Sequence, residues 1–199
     1  MKFTYGYISH KQDVFDKHLS NSIKNIKNDI EIFTDVSKNQ CNFFNNVIKN
    51  SKNRYIIFSH EDIEFSKDIL KKIEESISTY NNFGVFCAAG LNKFNRTVCC
   101  SLSKMFLLKW ADPCFFVIDK ENDIFFDEIN FNDYHFGVAD YCLSLNKLKN
   151  KKTHTILSKW GFGNSTYITH FSNSCRVNGY RWGKYDFYLK VLDDKWKNC

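Results

Sequence analysis

At 199 residues, with 43% hydrophobic and 17% aromatic side chains, the chain is long enough for a buried core, which excludes a disordered or fibrous protein. Its formal net charge of +6 is dispersed as lysines through every segment, densest from Lys147 to Lys152. That pattern excludes the basic stripe of a nucleic-acid binder and leaves anionic small molecules or an anionic membrane surface as partners.

Eight cysteines without any Cys-x-x-Cys spacing give no zinc ribbon, and the N-terminus lacks the long apolar segment of a secretory signal. The cysteines read as reduced core residues of a cytoplasmic protein. No stretch reaches the apolar length that spans a bilayer, so any membrane contact is expected to be peripheral.

In chain order, Phe3 to Ser9 alternates and is β-rich, predicting a first strand that ends at Ser9-His10. A helix carrying Val14, Phe15, Leu19, Ile23 and Ile26 follows, then a short strand from Asp29 to Phe33 ending in Thr34-Asp35. Asn39 to Asn50 has helical spacing through Phe43, Phe44, Val47 and Ile48. Arg54 to Ser59 reads as a buried strand running into His60, Glu61 and Asp62, and Phe65 to Tyr80 as the next amphipathic helix. This alternation predicts an α/β domain with a mostly parallel sheet flanked by helices and right-handed crossovers.

The second half is less regular. Phe83 to Ala89, Thr97 to Trp110 and Cys114 to Asp119 read as strands, and a loop runs through Asp133-Tyr134-His135. From Val138 a helix carries Tyr141, Leu145 and Leu148, with Asp140 in its first turn. Two short strands follow, Thr153 to Leu157 and Thr166 to Phe171, the second holding His170, and a terminal helix runs from about Lys184 to Trp196.

Three strand ends, Ser9-His10, Thr34-Asp35 and His60-Glu61-Asp62, meet at the edge of an α/β sheet where ligands bind. Carboxylates held together there repel each other unless a proton or a cation shares the site, and Mg2+ or Mn2+ with phosphate oxygens satisfies them. No glycine-rich phosphate loop is present, so a nucleotide's phosphates would be held through the metal. The same residues also suit a plain strand-to-helix turn capped by Asp62 or Ser66.

Taken in order, Phe58-Ser59-His60-Glu61-Asp62, Phe126-Asp127-Glu128 and Tyr134-His135-Phe136-Gly137-Val138-Ala139-Asp140 resemble the motifs of GT-A fold nucleotide-sugar glycosyltransferases. The resemblance is to the family-two-like subgroup whose metal motif reads Phe-x-His-x-Asp, and it runs from Phe3 to about His170. It implies a Rossmann-like domain with a nucleotide-binding half over 1–82, an acceptor-side half over 83–171 and a helical tail over 172–199. It implies a metal-dependent, inverting transfer of sugar from a nucleotide-diphospho donor to a glycan, glycolipid or protein acceptor.

Under that resemblance Asp62, His60 and His170 are metal ligands, and Asp35, His60, Glu61 and Ser9 are donor contacts. Asp112 and His135 lie on the acceptor side, and Asp140 is the general base. Asp140 also suits an ordinary helix first-turn role. Two departures stand out: Ala139 occupies the place of an acidic residue, and Pro113 that of a glycine. The competing expectations are a GT-A-like module without catalysis, which binds a sugar or a partner, and a nucleotidyltransferase or phosphohydrolase on the same sheet edge.

Overall fold

The computed structural model describes residues 1–26, 30–36, 39–94, 97–99, 106–132, 136–156, 168–170 and 185–197, with the backbone alone at 97–99, 170 and 185. Its centre is laid down by the apolar runs of the first half. β1 (Phe3–Ile8) pairs in parallel with both β2 (Ile30–Asp35) and β3 (Tyr55–His60), so Ile8, Asp35 and His60 stand in register at one sheet edge.

The crossovers cover both faces. The helix expected from Val14 to Ile26 is two, α1 (Gln12–Lys17) and α2 (Leu19–Ile26), with the break at His18. α3 (Gln40–Asn50) opens at Asn39, whose side chain accepts from the Asn42 N–H. It buries Phe43, Phe44, Val47 and Ile48 on one face of the sheet. After β3 comes a short strand, β4 (Ile63–Phe65), and only then α4 (Ile69–Thr79), so Phe65 belongs to a strand and not to the helix expected to begin there. Leu19, Ile23 and Ile26 of α2 join Ile69, Ile73 and Ile77 of α4 on the opposite face. Burial from both sides is why the central strands are continuous apolar runs.

The second half contributes β5 (Phe83–Cys87), β6 (Ala89–Leu91), β7 (Thr97–Cys99), β8 (Leu107–Leu108), β9 (Trp110–Ala111) and β10 (Phe115–Asp119). A 3-10 turn, Lys120–Asn122, precedes α5 (Gly137–Lys149), β11 (Lys152–Thr155), β12 (Ile168–His170) and α6 (Tyr185–Trp196). The central sheet has the order β2-β1-β3-β10-β5-β11-β8, with β10 and β8 antiparallel to the other five strands. The mostly parallel sheet flanked by helices matches the expectation. The strand expected from Thr97 to Trp110 is instead divided between sheets. β7 and β9 flank β6 in a three-stranded sheet and β8 joins the central one, with 100–105 outside the described residues.

Asp119, 3% exposed, ends β10 and takes a two-pronged contact from Arg54 ahead of β3: Nε donates to Oδ1 at 3.0 Å and Nη2 to Oδ2 at 2.7 Å. That geometry is the strong form of an ion pair and fixes the β3–β10 register. Among the described residues no helix is long and apolar enough to cross a membrane.

His154 on β11 lies against Tyr80 and Phe86, with ring centroids 5.2 and 6.1 Å away. Burial holds its imidazole below the ordinary value of 6.5, against a backbone hydrogen bond at Lys152. The unfolded chain therefore takes up a proton that the folded chain resists. His154's contribution to stability is full above about pH 6.5 and declines as pH falls from there through its folded value. Unfolding free energies at pH 7.5 and 5.5 are expected to show a loss on acidification that is smaller in His154→Asn.

Candidate active site

The residues expected on the donor side arrive from three strand ends. The Ser9 N–H donates to the Asp35 carbonyl at 3.0 Å, tying the end of β1 to that of β2, and Asp35 Oδ1 accepts from the Val36 N–H at 2.7 Å. His60 closes β3, with its N–H donating to the Cys114 carbonyl at 3.0 Å. In the next turn Glu61 Oε2 accepts from the N–H groups of His10 and Lys11 at 2.6 and 3.0 Å. Glu61 thus shapes the loop after β1, with His60 and Asp62 on either side of it in the chain. Asp62 Oδ1 is buried.

β12 pairs antiparallel with β4 so that His170 is opposite Ile63, the residue after Asp62. The pairing brings position 170 to the turn by a contact that spans more than a hundred residues. Among the described residues, no three His, Cys, Asp or Glu side chains form a group able to hold a metal ion. Asp112 lies in the exposed turn before β10, its Oδ1 accepting from the Cys114 N–H at 2.8 Å. Since Cys114 also bonds His60, Asp112 stands beside the end of β3. His135 lies outside the described residues.

Three successive residues of α3 join this edge to the acceptor-side motif. Gln40, only 3% exposed, places its Nε2 3.4 Å from His60 Nε2. Cys41 abuts the start of α5, and Asn42 Nδ2 donates to Glu128 Oε2 at 2.8 Å. One helix turn further, buried Asn45 grips the backbone of Phe126 from both sides, donating to its carbonyl at 2.9 Å and accepting from its N–H at 2.8 Å. A helix rises about 1.5 Å per residue, so the sheet edge at His60 and the Asp127-Glu128 loop meet at neighbouring points of α3.

α5 begins with strained geometry. Phe136 has φ 62°, the left-handed region that bulky side chains avoid, and Gly137 follows it. A Cβ at Gly137 would lie 2.3 Å from Cys41 Sγ. Gly137→Ala is expected to push α5 from α3 and destabilise by about 1–3 kcal/mol, the usual range for overpacking. A denaturant titration measures it, and an unchanged midpoint would contradict the close approach.

Asp140 sits in the first turn of α5 at 2% exposure. Trp196 Nε1 of α6 donates to its Oδ1 at 2.7 Å. Lys195 Nζ donates to its Oδ2 at 3.0 Å, lies 2.9 Å from its Oδ1, and donates to Asp127 Oδ2 at 2.8 Å. Burial pushes the Asp140 carboxyl above its ordinary range while the hydrogen bonds of Lys195 and Trp196 pull against it. For Asp127 burial acts the same way, but bonds from Asn130 and Lys195 outweigh it and hold the carboxyl at about 2. Cys41 is pushed up to about 12, first by burial and then by Asp140, Asp127 and Glu128. Behind Trp196 a groove of about 950 Å³ runs between α5, α6 and Lys109-Trp110, with Leu143 and Lys147 on its α5 side.

Gln40, Lys195 and Trp196 escape a reading of the sequence. Gln40 looks like a solvated first-turn residue, and Lys195 and Trp196 lie 55 and 56 residues from Asp140 in a tail whose pattern only predicts a helix. An indole followed by neither a strand nor a motif carries no signal of its partner.

Solved structures share this architecture. TarS 1–349 of S. aureus in complex with UDP-GlcNAc aligns with a TM-score of 0.58 at 12% identity, over 100% of this chain and 67% of that one. The fold is of the GT-A type. A197 from STIV aligns at a TM-score of 0.54 and 14% identity, over 87% of each chain. Against S. aureus TarS the TM-score is 0.55 at 12% identity, and this chain spans 40% of the length of that one. No protein-family model and no curated protein matches the sequence.

Proposed function

We propose that the chain is a glycosyltransferase that moves a sugar from a nucleotide-diphospho donor to a hydroxyl of a glycan, glycolipid or protein, dependent on Mn2+ or Mg2+ and inverting at the anomeric carbon. The observation that carries this reading is the bridge through Gln40, Cys41 and Asn42, which holds a donor-type strand edge next to the start of α5. A single-displacement transfer needs those two half-sites adjacent. The neighbouring fold that holds UDP-GlcNAc supports a nucleotide sugar as the ligand class and makes uridine donors the first to try.

Asp35 and Ser9 would contact the nucleoside, and Asp62 with His60 would hold the ion. One or two protein ligands completed by phosphate oxygens is an ordinary way to hold Mg2+, so the donor set here fits. The bound ion would neutralise charge on the departing diphosphate. His170 is a third ligand in this proposal, by its position beside Asp62.

Asp140 takes the proton of the acceptor hydroxyl as the acceptor oxygen bonds to the anomeric carbon. The bond from that carbon to the diphosphate oxygen breaks on the opposite side, and the nucleoside diphosphate leaves with the electron pair. Coupled detection of nucleoside diphosphate release, run across nucleotide sugars with Mn2+ or Mg2+ and mixed glycan and lipid acceptors, tests the reaction. Release that requires both metal and acceptor supports it, and none with any donor overturns it.

A second reading, a GT-A-like binding module without catalysis, is favoured by the enclosure of Asp140 by Lys195 and Trp196. It expects donor binding with no transfer.

A further inference from the structure

Both carboxylate oxygens of Asp140 are held by side chains of α6. A carboxylate oxygen offers two lone-pair directions. Oδ1 accepts from Trp196 Nε1 at 2.7 Å, with Lys195 Nζ 2.9 Å away as an ion-pair contact. Oδ2 is met by Lys195 alone among the described residues, at 3.0 Å. The indole and the ammonium therefore each hold one oxygen and together set the plane of the carboxylate.

We infer that Lys195 and Trp196 are positioning residues for the proposed base, keeping Asp140 ionised and fixed in orientation to receive the acceptor's proton. The inference rests on the transferase reading. Its chemistry follows from burial: an acid at 2% exposure gains little from water and needs a local cation to stay charged.

The titratable groups facing Asp140 come from several elements around it. Lys195 is on α6, Asp127 on the loop ahead of α5, Cys41 on α3 and Cys142 on α5 itself. Both cysteines are held as neutral thiols by burial. Lys195 is thus the cation shared by two acids, Asp127 and Asp140. Asp127 has further donors in the Asn130 side chain and backbone and the Ile129 N–H, so it stays ionised. Any proton taken up by the pair goes to Asp140, which is the behaviour a base requires.

The test compares Lys195→Met, Lys195→Arg and Trp196→Phe with the wild type in sugar transfer as a function of pH, with donor affinity and melting temperature measured alongside. Activity requires ionised Asp140, so losing the cation moves the acidic limb of the kcat profile upward, by about one pH unit or more. Lys195→Met is expected to lower kcat at neutral pH by about 10²-fold with donor affinity unchanged. Lys195→Arg is expected to return the limb towards its wild-type pH, and Trp196→Phe to lower kcat by about tenfold without moving the limb as far. A Lys195→Met protein that melts normally and keeps its acidic limb in place overturns the inference and leaves the pair as a docking contact for α6. A wild type that transfers no sugar from any donor overturns the functional reading itself, and the inference falls with it.

Discussion

Asp62→Ala is expected to weaken metal-dependent donor binding by about 100-fold or more, since losing even a group behind the ligands typically costs a metal site 10–100-fold. The fold is expected to survive. Asp62 lies in the turn between β3 and β4, outside both core clusters, and Ile63 and Phe65, which anchor β4, are untouched. Removing one carboxylate also removes the charge that Mn2+ or Mg2+ would offset, so the variant should bind the nucleoside diphosphate weakly whether or not metal is added. Titration of Mn2+ together with a nucleoside diphosphate measures this. Wild-type affinity in the variant would contradict the role given to Asp62.

Asp140→Asn is the second large effect. The amide keeps the size of the carboxylate and can still accept from Trp196, but it cannot take a proton from an acceptor. Transfer is expected to fall by about 10²-fold or more while donor affinity holds, as general-base losses do. Single-turnover transfer alongside donor calorimetry separates the two quantities. Normal transfer would place the base elsewhere, and loss of both would make Asp140 a structural ion-pair partner of α6.

The first half of the chain was legible because its signals are local. Runs such as Tyr55–His60 and helical spacing such as Ile69, Ile73 and Ile77 carry their own period, and their alternation predicts the layered sheet. Legibility fails where a partner far along the chain decides. β4 exists because Ile168–His170 pairs with it, so Phe65 is drawn out of a helical pattern that would otherwise include it. β10 enters antiparallel between β3 and β5, and nothing in its apolar run names those neighbours.

The site divides in the same way. Asp140 and the His60-Glu61-Asp62 turn stand out through motif and charge, and the register of Ile8, Asp35 and His60 follows from parallel pairing. Glu61 is a donor contact under the resemblance. Its orientation is settled by two N–H groups across the turn, 50 and 51 residues away. Lys195 and Trp196 reach Asp140 only once α6 has packed Tyr188 and Leu192 into the core. Contacts of that kind are products of the finished fold.

The most direct measurement is a thermal-shift titration of the wild type with nucleoside diphosphates and their sugars, each with and without Mn2+ or Mg2+. A ligand that binds the native state alone raises its melting temperature, by about 2.7 kcal/mol of added stability at a hundredfold excess over Kd. The account expects a shift with one nucleotide, larger for its sugar, and dependent on the metal. No shift with any nucleotide, with or without metal, would contradict a donor site at the ends of β1, β2 and β3.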